Sequence, residues 1–168
     1  MKLAEINGLS REAFAAALGR LFEHSPWVAE AAWERRPFAD LAALHLALCT
    51  AMQSAPEARK RELIRAHPDL AGRMAKRGQL TAESTREQAS AGLDRLSPGD
   101  MNRIQELNGA YRTKFGFPFV ICARLNDCGA ILAAMERRLA NSPEREKEAA
   151  LAEIEKIAWL RLQDTVMS

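Results

Sequence analysis

The sequence predicts an all-α fold, a single compact multi-helix domain of about eight helices over residues 1–168. Three observations carry that expectation. Alanine, leucine, glutamate and arginine dominate the chain, and the strict alternation of a half-buried strand is nearly absent. Apolar residues recur at spacings of three and four, the period of one helix face. Ser-Pro occurs at Ser25-Pro26, Ser97-Pro98 and Ser142-Pro143. In each pair the serine can cap free backbone amides, and proline suits the first helical position.

The elements follow in order. A first helix is expected near 10–22 on its helix-forming composition, and a second near 26–34, opened by Ser25-Pro26. The third, 40–53, carries Leu41, Leu44, Leu48 and Met52 on one face. The fourth, 56–66, stops where His67 meets Pro68, because the residue before proline is pushed out of helical geometry. A short helix is expected over 82–91 and a long one over 98–114. The last two, 127–140 and 143–162, bear the stripes Ile131, Leu132, Met135, Leu139 and Leu151, Ile154, Ile157, Leu160. These stripes are core. Between two helices, Phe115-Gly116-Phe117-Pro118-Phe119-Val120-Ile121-Cys122-Ala123 resists the helical reading. Glycine and proline force irregular backbone while the apolar side chains favour burial. The segment is either a hydrophobic connector or a source of backbone N–H and C=O groups for a polar ligand.

Composition excludes several function classes. Hydrophobic residues make up 48% and charged residues 27%, and the net charge is +2. That charge is too small to argue for nucleic acid or an anionic membrane. Glu144-Arg145-Glu146-Lys147-Glu148 reads as a solvated helix face. No apolar run approaches the ~18 residues of a membrane-spanning helix. Met1–Glu5 lacks the apolar block of a signal peptide, and Thr165-Val166-Met167-Ser168 is not a peroxisomal address, so the expected compartment is the cytoplasm. Three cysteines without Cys-x-x-Cys, and no histidine pair at ligand spacing, argue for reduced thiols and against zinc. His24 and His45 read as packing or hydrogen-bonding residues.

The candidate chemistry lies in two polar clusters and one arginine. His67, in His67-Pro68-Asp69-Leu70, should project from a helix C-terminus, where the charged imidazole is favoured. It could move a proton near neutral pH or simply cap the last carbonyls. Ser84 and Glu87 have capping-box spacing. If Thr81 takes the cap instead, Ser84, Glu87 and Gln88 share a helix face and present a hydroxyl, a carboxylate and an amide. Arg161, in Trp159-Leu160-Arg161-Leu162, is either partly buried with an anionic partner or a surface arginine whose stem covers the core.

Several motifs together resemble the 2-oxo-4-hydroxy-4-carboxy-5-ureidoimidazoline (OHCU) decarboxylase family, which acts in urate breakdown. They are Phe22-Glu23-His24-Ser25-Pro26-Trp27-Val28-Ala29, His67-Pro68-Asp69-Leu70-Ala71 and Ser84-x-x-Glu87-Gln88. Leu107-Asn108-x-x-Tyr111, Lys114-Phe115-Gly116-Phe117-Pro118-Phe119 and Arg161-Leu162 complete the set, in family order and over almost the whole chain. The resemblance implies an all-helical enzyme, a homodimer, with a small-molecule substrate and no metal or organic cofactor. It assigns catalysis to His67 and Glu87, and substrate contacts to Pro68, Ser84, Gln88, Arg161 and the backbone of Phe119, Val120, Ile121, Cys122 and Ala123. The rivals are an enzyme acting on the preceding hydroxyisourate and a non-catalytic helical interaction module.

Overall fold

The computed structural model describes residues 1–72, 75 and 77–166, and every regular element among them is helical. The α-helices are α1 (Leu3–Asn7), α2 (Arg11–Leu18), α3 (Trp27–Ala32), α4 (Leu41–Gln53), α5 (Glu57–Arg65), α6 (Ala82–Ser90), α7 (Pro98–Phe115), α8 (Cys128–Arg138) and α9 (Pro143–Thr165). Short 3-10 turns span Gly19–Leu21, Trp33–Arg35 and Ala123–Leu125. All eight expected helices form. The additional α1 is five residues long, too short to show a periodic stripe; Lys2 N–H donates to the Glu5 carboxylate at 2.8 Å and closes its first turn.

The caps explain most boundaries. Ser97 accepts from Asp100 N–H at 3.1 Å and Ser142 from Arg145 N–H at 3.3 Å, each ahead of a proline at the first helical position. The third Ser-Pro pair behaves differently. Pro26 is itself the N-cap of α3, and the Ser25 hydroxyl donates to the Glu23 carbonyl at 2.9 Å. Helix α7 ends at Gly116, whose φ of 75° is open to glycine at little steric cost.

The chain divides into two compact units, residues 1–66 with 155–168, and residues 67–154. In the first, α3 packs on α2 and α4. Ile6, Phe14, Leu18, Val28, Leu44, Leu48 and Met52 are fully buried there. Asn7 ties the N-terminal helix down, its amide donating to the Phe38 carbonyl at 3.0 Å and accepting Phe38 N–H at 2.9 Å. The two other histidines are placed differently. His45 Nε2 donates to the Glu155 carbonyl at 2.9 Å and its ring meets Trp159 edge-on. His24 is exposed and sits at φ 47°, a region that histidine tolerates better than most residues.

In the second unit, α7 packs on α8 and Tyr111 is the centre of an aromatic cluster. Its ring lies 4.6 Å from Phe115, 6.0 Å from Phe117 and 5.4 Å from Phe119, centroid to centroid. Each such ring contributes roughly 1.5–3 kcal/mol by leaving water. One expectation fails here. Glu144–Glu148 is not a uniformly solvated face, because Glu146 is 0% exposed. Its carboxylate accepts from the Tyr111 hydroxyl, from Arg138 Nε at 2.7 Å and from Asn141 Nδ2 at 2.9 Å. Arg138 also takes an inward slot on α8 beside Ile131, Ala134 and Met135, while Leu139 is only half-buried.

Candidate active site

His67 follows Ala66, the residue that closes α5, and is 7% exposed. The backbone after it is held unusually firmly. Ala71 has φ 50°, a left-handed conformation that is costly for a residue with a Cβ. Three side chains oppose that cost. Gln88 Oε1 accepts Ala71 N–H at 3.0 Å, and Gln88 Nε2 lies 3.5 Å from the Asp69 carbonyl. Asn108 Nδ2 donates to the Leu70 carbonyl at 3.0 Å. Arg112, one turn further along α7, donates to the Asp69 carboxylate at 2.9 and 3.2 Å. The His-Pro motif thus leads directly into a turn clamped from α6 and α7.

The cap of α6 resolves the ambiguity at Ser84. Thr81 Oγ1 accepts Ser84 N–H at 3.2 Å, so Thr81 is the N-cap. Ser84, Glu87 and Gln88 therefore lie on one helical face, with Ser84 and Gln88 buried and Glu87 half-buried. The oxygen of Gln88 is engaged by Ala71 N–H, so Gln88 helps to shape the turn that follows His67-Pro68. Helix α6 packs against the 3-10 turn Ala123–Leu125. Within that packing, the Glu87 carboxylate is near enough to act electrostatically on the Cys122 thiol.

Phe119, Val120, Ile121, Cys122 and Ala123 are all buried, and Phe119–Cys122 runs without regular secondary structure. Some of its polar groups are held by the protein. Arg138 Nη1 donates to the Val120 carbonyl at 2.7 Å, and Cys122 N–H donates to Glu153 Oε2 at 2.9 Å. The guanidinium of Arg138 also lies over the Phe119 ring at 4.3 Å. Among the described residues, however, the N–H groups of Val120 and Ile121 find no acceptor. Buried amides of that kind are uncommon and call for a partner. The Cys122 thiol is pushed up by burial and by the nearby carboxylates of Glu153 and Glu87, which keeps it neutral. The segment therefore carries backbone N–H groups that are not engaged by the described residues, and a thiol held in its neutral form.

Arg161 belongs to the first unit and is 4% exposed. Its expected anionic partner is Glu23, 3% exposed, whose carboxylate accepts from Nη1 at 3.1 Å. Nη1 also approaches the Arg20 carbonyl at 3.3 Å. A groove of about 320 Å³ beside Trp27, Ser54 and Arg59 contains none of these residues. Among the described residues, no three histidine, cysteine, aspartate or glutamate side chains are arranged to hold a metal ion.

Comparison with known proteins identifies the family. The family model for OHCU decarboxylase matches residues 7–163. The chain belongs to the OHCU decarboxylase family. It is 46% identical over 166 residues to the 2-oxo-4-hydroxy-4-carboxy-5-ureidoimidazoline decarboxylase of Amia calva, covering 99% of this chain and 95% of that one. The enzyme of the same name from Mus musculus is 42% identical, over 98% and 92% of the two chains. A crystal structure of (S)-allantoin synthase superposes with a TM-score of 0.81 at 28% identity. That match covers 100% of this chain and 54% of the solved one, so this chain spans about half its length. A crystal structure of OHCU decarboxylase in the presence of (S)-allantoin, at 23% identity and TM-score 0.69, shares the fold over 93% and 97% of the two chains.

Sequence reading missed several residues around these family motifs. Glu23, Asn108 and Tyr111 stood inside the matched motifs but carried no assigned role. Glu146 was read as part of a solvated face, and Arg112, Arg138 and Glu153 drew no reading. The one available signal was position, since Arg138 and Glu146 each occupy a turn facing the apolar stripe of their own helix.

Proposed function

We propose that this protein decarboxylates 2-oxo-4-hydroxy-4-carboxy-5-ureidoimidazoline to (S)-allantoin, in urate catabolism. The observation that carries this reading is near-full-length identity above 40% to relatives bearing that decarboxylase name. The substrate has a carboxylate on a ring carbon that also bears a hydroxyl, next to a C=N bond. When CO2 leaves, the electron pair delocalises into that bond, so the substrate is its own electron sink. The protein must hold the ring, favour loss of the carboxylate and protonate one face of the resulting carbon.

His67 is the proton donor or relay, and Pro68 with the clamped turn after it sets its direction. Glu87 orients the substrate hydroxyl or a ring N–H. Ser84, Gln88 and the Phe119–Ala123 backbone bond the ureido and ring groups. Arg161 anchors an oxygen or anionic group, with its charge balanced by Glu23 in the free protein. The burial of Ser84 and Gln88 on one face of α6, and the amides of Val120 and Ile121 that find no acceptor among the described residues, support this division of labour.

The test uses purified protein, freshly generated substrate and circular dichroism of the allantoin formed. His67→Asn is expected to lose about 10²–10⁴ in rate. Full, stereospecific turnover by that variant would sink the assignment. The protein is further proposed to work in the cytoplasm as a homodimer. A monomer mass by light scattering at assay concentration would overturn the dimer.

A further inference from the structure

Two charged side chains grip the backbone on either side of Ile121. Arg138 Nη1 holds the Val120 carbonyl at 2.7 Å, and Glu153 Oε2 holds the Cys122 N–H at 2.9 Å. All three elements lie in the same unit. In a trans peptide the C=O and the following N–H point in opposite directions. Both peptides here are trans. Fixing the Val120 carbonyl toward Arg138 therefore fixes Ile121 N–H away from it. Fixing Cys122 N–H toward Glu153 likewise turns the Ile121 carbonyl away from the carboxylate. Among the described residues, neither the N–H nor the C=O of Ile121 has a partner. One buried residue thus carries an unsatisfied donor and an unsatisfied acceptor, each with its direction set from outside.

The two grips are themselves anchored. Arg138 is pinned by fully buried Glu146, which Tyr111 and Asn141 also bond. Its guanidinium stacks on Phe119, at the start of the same segment. Where the N–H and C=O of one residue face the same way, they recognise the same pair reversed, which is the edge of a cyclic ureide or amide.

We propose that Glu153 and Arg138 are positioning residues, which hold the two peptide planes flanking Ile121 so that its N–H and C=O read the N–H/C=O edge of a cyclic ureide. This rests on the reading of Phe119–Ala123 as part of the binding site. It adds that the recognition is built by two side chains that need not touch the ligand.

Calorimetric binding of (S)-allantoin and of hydantoin tests the idea without depending on turnover. Glu153→Ala should weaken both about 10-fold and raise the substrate KM similarly while leaving kcat within about 3-fold. Glu153→Gln retains an acceptor oxygen and should bind within about 3-fold of the parent. The parent should prefer hydantoin over 1,3-dimethylhydantoin, which lacks the N–H, and Glu153→Ala should lose that preference. Removing Arg138 alone would strand Glu146 in the interior. The paired change Arg138→Met with Glu146→Leu keeps apolar volume there and should show the same loss of ureide binding. If Glu153→Ala binds and discriminates like the parent, or only its melting temperature falls, the inference is overturned while the decarboxylase reading stands. A parent protein that neither binds these ureides nor turns over substrate overturns both.

Discussion

At the level of single residues, the candidate site separates into groups that offer side chains and groups that offer backbone. Cys122 shows the distinction. Its thiol stays protonated at neutral pH, and its N–H is committed to Glu153. Cys122→Ala should therefore keep activity within about 3-fold, since a backbone role survives loss of the side chain. Loss of a hundredfold in turnover with an unchanged fold would mean the sulfur takes part. Ser84 makes the complementary point. In sequence it competed with Thr81 for one capping role, and only the Thr81 Oγ1 bond to Ser84 N–H decides between them. The choice depends on where the chain enters the helix, which is a matter of backbone direction that residue identity does not encode. Arg161 was legible as a buried arginine in need of an anion. Glu23 was not legible as its partner, because the two are 138 positions apart in sequence.

At the level of elements, helical periodicity and proline punctuation located all eight expected helices within a few residues. The irregular Phe115–Ala123 stretch was also visible, because glycine and proline interrupt an otherwise apolar run. The turn after His67 was not. Its left-handed Ala71 carries no glycine signal, and the side chains that stabilise it come from α6 and α7. The neighbouring Gly72 is what the turn demands of sequence. A Cβ there would stand 2.8 Å from the Asp69 Cβ, so the turn would have to open. Gly72→Ala is expected to fold yet lower kcat by about 10- to 100-fold, because small displacements of His67, the proposed proton donor, are costly. Steady-state kinetics beside a thermal melt checks this. Parent-like kcat in a folded variant would show that the turn does not control His67.

At the level of the whole molecule, buried titrating groups are expected to lower stability at alkaline pH. Burial, with Glu155 nearby, pushes the Cys49 thiol from 9.0 to about 12. Burial and the Glu146 carboxylate push the Tyr111 hydroxyl up as well. A raised pKa in the folded state means the unfolded chain releases its proton first. The stability these groups contribute is present below their unfolded pKa values and drains away as pH rises through the folded ones. Thermal midpoints should fall from about pH 9 upward, and Cys49→Ala should flatten the first part of that fall. A parent and variant that decline in parallel would remove Cys49 from the account. Fold class was legible at this scale because composition and period are averages over the chain. The division at Ala66 and Ile154 was not legible, since α9 runs through it without a break in pattern.

Glu146 has a consequence for anyone redesigning the surface of this protein for solubility. Glu144, Arg145 and Glu148 stand in solvent and can be recoloured with other charges at little cost. The same edit two residues along from Glu144 would empty the socket that holds Arg138, at roughly 3–5 kcal/mol. A pattern-based redesign sees five interchangeable letters, and one of them is a keystone.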